Sequence, residues 1–201
     1  MQNIGSFVIK HRIFLSWLFG ISYLVFTAPP RYVPPTSALL YLVIGLEIAF
    51  LGEGLRIWAN GFLHKDESLA VNGPFSYTRN PLYLGSFLIG CGFCIATSRL
   101  LLFVFFLAFF FLVFLNTIRH EESILEGKFG SEFQKFKQNV PIFIPKFTPY
   151  DSNVYSKFSW KQVKHNKEHL TVIGVLVIAL YAIIRYLIQY NTGAPYNKIL
   201  G

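Results

Sequence analysis

Charge is scarce in this sequence. Only 14% of its 201 residues are Asp, Glu, Lys or Arg, where an ordinary soluble domain carries about 25%. Acids are scarcer than bases, 10 against 18. So little charge cannot cover an aqueous exterior. Cysteine is also rare. Cys91 and Cys94 lie together inside an apolar run, which excludes a disulfide scaffold, and zinc would need more ligands than these two. No Gly-x-Gly-x-x-Gly follows a strand-like segment, which excludes a soluble Rossmann-type domain. What the chain does have is apolar bulk: 53% hydrophobic residues, 22 of them Phe. That excludes disorder and points to a membrane protein. The formal net charge of +8 then reads as topology and attraction to anionic lipids, not as affinity for nucleic acid.

A crossing helix needs roughly 20 mostly apolar residues. Five segments qualify, predicting an all-α, polytopic membrane helical bundle in one domain, 1–201. The first span, about 12–28, follows Lys10-His11-Arg12 and ends before Pro29-Pro30. The second, about 37–59, carries Glu47, Glu53 and Arg56. The runs 80–98 and 100–118 form a helical hairpin turning near Ser98-Arg99. The last span is about 170–190, interrupted by Arg185. With the N-terminus inside, 14 of the 18 Lys and Arg residues face inward, leaving Arg31, Arg99, Arg185 and Lys198 outside. The positive-inside rule favours that orientation. Between the fourth and last spans, 119–169 reads as short interfacial helices broken near Gly127 and Gly130. Val140-Pro141-Ile142-Phe143-Ile144-Pro145 reads as an extended apolar strap. Lys157, Lys161, Lys164 and Lys167 suit anionic headgroups.

The hairpin returns two polar clusters to one face. The first is Gly73-Pro74-Phe75-Ser76-Tyr77-Thr78-Arg79-Asn80-Pro81-Leu82-Tyr83-Leu84-Gly85. Asn80 suits a helix cap and Pro81 the first helical position, and the N–H groups of that helix start suit an anion. Gly85 removes bulk where a ligand or a helix could approach. The second cluster is Arg119-His120-Glu121-Glu122. Two carboxylates at the C-terminal end of a span oppose the helix dipole and need a cation, from Arg119, His120 or a bound ligand. The plainer alternative is that the acids mark the membrane edge and the Arg-Asn-Pro turn is only a cap. Elsewhere, Glu53 and Arg56 stand three apart and can pair on one face, or can form a polar patch for a substrate headgroup. Asn60 and His64 extend that face. Gly52, Gly54, Gly90 and Gly92 suit helix packing. His165 and His169 alone make no metal site, and none is expected.

The ordered set Leu55-Arg56-Ile57-Trp58-Ala59, Gly73-Pro74-Phe75, Arg79-Asn80-Pro81-Leu82-Tyr83-Leu84-Gly85, Glu121-Glu122, Phe129-Gly130, Val140-Pro141 and Ile144-Pro145 resembles the isoprenylcysteine carboxyl methyltransferase and phospholipid methyltransferase superfamily, over about 50–147. The resemblance implies an integral membrane enzyme using S-adenosylmethionine. It implies that Arg79, Asn80, Pro81, Tyr83 and Gly85 match the cofactor motif, that Glu121 and Glu122 match the acidic pair, and that Pro141 and Ile144 lie in the strap over the cofactor. Asn80 stands where better-studied members have His, so no titrating base is available there. Arg56, Glu53 and His120 are the candidate catalytic residues. The acceptor is expected to be a lipophilic molecule from the bilayer, of isoprenylcysteine carboxylate type or a related small lipid. A phospholipid amine is the alternative. With the spans and the Lys and Arg distribution above, a multi-pass protein of a bacterial inner membrane is expected, with its N-terminus and site on the cytoplasmic side. A nicotinamide-dependent sterol reductase fits less well, because its cofactor calls for more cationic residues. A non-catalytic membrane adaptor would not depend on Glu121, Glu122 or Tyr83, and a transporter would be expected to show an internal repeat.

Overall fold

The computed structural model describes residues 33–64, 68–151 and 155–191. The expected first span, about 12–28, lies outside them. The described residues contain helices and no strand. Helix α1 is Pro35–Phe62, α2 is Pro81–Ala96, α3 is Leu100–Asn139, α4 is Trp160–His165 and α5 is Glu168–Asn191, with a 3₁₀ turn at Gly73–Ser76 before α2. Among these, α1, α3 and α5 are long and apolar enough to cross a membrane. They correspond to the expected second, fourth and last spans. The expected third span is a shorter helix of 16 residues, α2, about 24 Å long.

The hairpin forms as its sequence suggests. Ser98 turns the chain in the left-handed region (φ 56), and Thr97 Oγ1 closes the end of α2 on the Cys94 carbonyl at 2.7 Å. The return helix departs from expectation. It does not stop near 118 but runs unbroken past Glu121 and Glu122, and its one non-helical residue is Gly130 (φ 51, ψ −121). Gly127 lies within the helix. At Gly130 the backbone occupies a region that side chains forbid, and the arm 131–139 bends away. Across the bend, Gln134 and Lys137 each donate to the Glu126 carboxylate at 3.3 Å. The expected break is thus present at Gly130, with a short helical arm after it, but up to that point the segment continues the membrane span instead of forming a separate interfacial helix.

Helices α1 and α2 pack backbone to backbone. Gly52 lies against Gly85, and Gly45 against Gly92. On each helix the two glycines are seven apart, two turns of one face. In lipid no hydrophobic force drives helices together, so such close approach provides the dispersion contact. Cys91 and Cys94 are buried in the adjoining core with Phe93, Phe106 and Phe110, a packing role. Phe143, from the strap, packs edge-on against Phe87 at 5.6 Å between ring centroids.

The α1 glycines divide by environment. A Cβ at Gly52 would lie 2.6 Å from the Gly85 carbonyl oxygen and 2.8 Å from the Ile89 nitrogen, whereas one at Gly54 meets nothing within 4 Å. Gly52→Ala is expected to destabilise the bundle by about 1–3 kcal/mol and lower its unfolding midpoint in detergent. Gly54→Ala should leave the midpoint unchanged or raise it. Equal effects of the two would contradict the close α1–α2 seam.

Candidate active site

The C-terminal end of α1, the start of α2, the middle of α3 and the start of α5 meet at one end of the bundle. A cavity of about 520 Å³ opens there, within the range of small-molecule sites. Its polar lining includes Arg56, His64, Arg79, Asn80, Tyr83, Glu121 and Glu122, and its apolar lining includes Phe75, Phe129, Phe133 and Phe136. The two clusters that the hairpin was expected to juxtapose therefore share one wall.

The acidic pair is held differently from expectation. Because α3 continues, Glu121 and Glu122 are not at a helix end, so the dipole argument does not apply. Arg119 and His120 are both exposed and do not compensate them. Instead, Arg79 Nε donates to Glu122 Oε1 at 2.9 Å, with the two side chains only 10% and 11% exposed. Tyr83 donates its hydroxyl to Glu121 Oε1 at 2.7 Å. Arg79 Nη1 also donates to the carbonyls of Lys137 at 2.6 Å and Val140 at 3.2 Å. One guanidinium thus joins the start of α2, the middle of α3 and the far end of α3.

Asn80 occupies the cap position of α2, but its side chain does not cap. Its amide donates to the Ile142 carbonyl at 2.9 Å. The strap is tied along its length: Arg79 N donates to Pro141 O at 2.9 Å, Lys146 N to Tyr77 O at 3.0 Å, and Tyr150 N to Ser76 O at 2.9 Å. Thr78 Oγ1 adds a bond to Phe143 O at 3.0 Å. Pro141 and Ile144 do not line the cavity, and Ile144 is 79% exposed. The strap bonds to the Arg79-Asn80 turn by its backbone and buries Phe143 and Val140. Pro81 lines the cavity, whereas Gly85 packs on Gly52 and the Arg56 stem.

Arg56 and Glu53 do not pair with each other. Arg56 takes Glu168 of α5 in a two-pronged ion pair, Nε to Oε1 at 2.7 Å and Nη2 to Oε2 at 2.9 Å. Asn60 donates to the same carboxylate at 2.8 Å. Glu53, only 5% exposed, has no hydrogen-bond partner among the described residues. Neither Glu53 nor His120 lines the cavity. Glu168 escaped the sequence reading because it is one acid within a run of lysines, 112 positions from its partner. Among the described residues no three His, Cys, Asp or Glu side chains gather as a metal would require.

Residues 38–132 match the phospholipid methyltransferase family. Over 154 residues the chain is 28% identical to the cobalt-zinc-cadmium resistance protein CzcN of Cupriavidus metallidurans, covering 74% of this chain and 70% of that protein. A nickel-cobalt-cadmium resistance protein, NccN of Alcaligenes xylosoxydans xylosoxydans, is 25% identical over 74% of this chain and 71% of its own length. The protein-S-isoprenylcysteine O-methyltransferase of Xenopus laevis is 28% identical over 71% of this chain and 54% of its own length. No solved structure matches the chain significantly. Through residues 38–132, just under half of its length, the chain is similar to the phospholipid methyltransferase family. It is a membrane methyltransferase, and members of the family it resembles generally use S-adenosylmethionine.

Removing one member of a buried ion pair costs about 3–5 kcal/mol, so Arg79 should control the strap locally. Arg79→Ala is expected to speed amide exchange across 140–150 at least tenfold, a factor that corresponds to about 1.4 kcal/mol. Exchange in α5 should not change. Unaltered exchange in the strap would contradict the role given to Arg79.

Proposed function

We propose that the chain transfers a methyl group from S-adenosylmethionine, bound in the 520 Å³ cavity, to a lipophilic acceptor that arrives from the bilayer. The observation that carries this reading is the convergence of Arg79, Tyr83, Glu121 and Glu122 on one partly apolar cavity. The donor set suits the cofactor. Glu121 offers a carboxylate oriented by Tyr83 to an ammonium or sulfonium. The helix start at Pro81 offers N–H groups to a carboxylate. The aromatic wall of Phe75, Phe129, Phe133 and Phe136 offers apolar faces to an adenine ring.

Bound there, S-adenosylmethionine supplies a sulfonium methyl whose departure leaves a neutral thioether. The protein's task is then alignment and exclusion of water. Tyr83 and Glu121 orient the cationic end, and Arg79 with Asn80 fixes the strap beside the site. A carboxylate acceptor of isoprenylcysteine type needs no base. A phospholipid amine is the second reading, favoured by the family matched over 38–132. The Lys and Arg distribution supports a cytoplasmic face for the site, with anionic lipids around the basic stretch before α5. A bacterial inner membrane fits this arrangement.

Calorimetry on detergent-purified protein tests the reading. The wild type should bind S-adenosylmethionine. Glu121→Gln should weaken binding about tenfold or more, since a charge-assisted contact contributes about 1.5–3 kcal/mol. Absence of binding by folded wild-type protein at millimolar cofactor would overturn the proposal.

A further inference from the structure

The last helix lies beyond the family-matched segment 38–132, yet its first residue bonds to Arg56, which lines the cavity. Glu168 is its first residue and is 3% exposed. It is delivered there by a specific local fold. Lys167 adopts a left-handed conformation (φ 59). Asn166 donates to the carbonyls of Asn60 at 3.1 Å and Leu63 at 2.9 Å, and Ser159 N donates to Gly61 O at 3.0 Å. These bonds satisfy carbonyls at the end of α1 that have no partner within the helix, and they set the α4–α5 turn against it.

Arg56 lines the cavity, and its stem lies across Gly85. A guanidinium has five N–H donors, and here five contacts engage them. Nε reaches Glu168 Oε1; Nη1 reaches Ser86 Oγ at 2.7 Å and Leu82 O at 3.3 Å; Nη2 reaches Glu168 Oε2 and Thr171 Oγ1 at 3.4 Å. Three of the five come from α5. Without Glu168 the guanidinium would lose the carboxylate bonded to it, and Glu53, one turn earlier on α1, would be the acid left near it.

We propose that Glu168 is a positioning residue of the active site: it fixes Arg56 in the cavity wall and neutralises it, so that the cavity accepts a cationic sulfonium. This rests on the placement of the cofactor given above. The chemical consequence is a discrimination between two ligands of nearly one shape. S-adenosylmethionine carries a positive charge at sulfur and S-adenosylhomocysteine does not. A bare guanidinium nearby repels only the first.

The test is calorimetric affinity for both ligands, on intact detergent-purified protein. Glu168→Gln is expected to weaken S-adenosylmethionine about tenfold, the scale of one uncompensated charge at partly screened range, while S-adenosylhomocysteine changes less than about threefold. The double variant Arg56→Gln/Glu168→Gln should return the ratio of the two affinities to the wild-type value. Glu168→Asp, which keeps the charge and serves if the glutamine variant does not fold, should retain that ratio. A purely structural role would move both ligands together, and that result overturns the proposal, as does a changed ratio in Glu168→Asp. Wild-type protein that binds neither ligand removes the functional reading and this proposal with it. Wild-type binding with an unmoved ratio in Glu168→Gln removes this proposal alone.

Discussion

Arg79 reaches three parts of the chain from one guanidinium: the Glu122 carboxylate in the middle of α3, the Lys137 carbonyl at its far end, and the Val140 carbonyl where the strap begins. The rest of the site depends on that bridge. It sets the start of α2 against α3, which brings Tyr83 within 2.7 Å of Glu121. It also keeps the strap in line with Ser76–Asn80, where five further backbone and side-chain bonds form. An ion pair this buried is seldom a net source of stability. Its value lies in geometry, since two planar groups with fixed bonding directions hold helices in register.

A second, independent constraint is steric. The glycines of α1 and α2 let two backbones touch, and this contact carries Arg56 to the cavity wall across Gly85. The C-terminal segment then closes on α1 from outside, its Ser159 and Asn166 taking up terminal carbonyls of that helix. Phe158 fills the space above Gly61. A membrane helix with exposed terminal carbonyls needs partners, and here residues nearly a hundred positions away supply them.

Much of this was legible in the residues. The long uncharged runs and Arg99 marked the hairpin, and the hairpin alone implied that the Arg79 turn and the acidic pair share a face. Motif order marked the family. What was not legible depends on long-range partners. Nothing local shows that Asn80 reaches for Ile142 O instead of capping its helix, or that Arg56 passes over Glu53, three positions away, for Glu168. The helix past Glu122 was legible in the spacing of Ile124, Leu125, Phe129, Phe133 and Phe136; its continuity with the span before it was not. A helix leaving the membrane changes its solvent without having to change its backbone. Exposure of His120 and Ile144 follows from the same continuation and from the strap's use of its backbone, not its side chains, to hold the turn.

The central claim is that the cavity between α2 and α3 is the cofactor site. A structure of the intact protein with S-adenosylhomocysteine bound tests it most directly. The account predicts the ligand among Tyr83, Glu121 and the Phe129–Phe136 wall, with the Arg79–Glu122 pair intact beside it. Ligand bound elsewhere on the bundle, with this cavity empty, would contradict it.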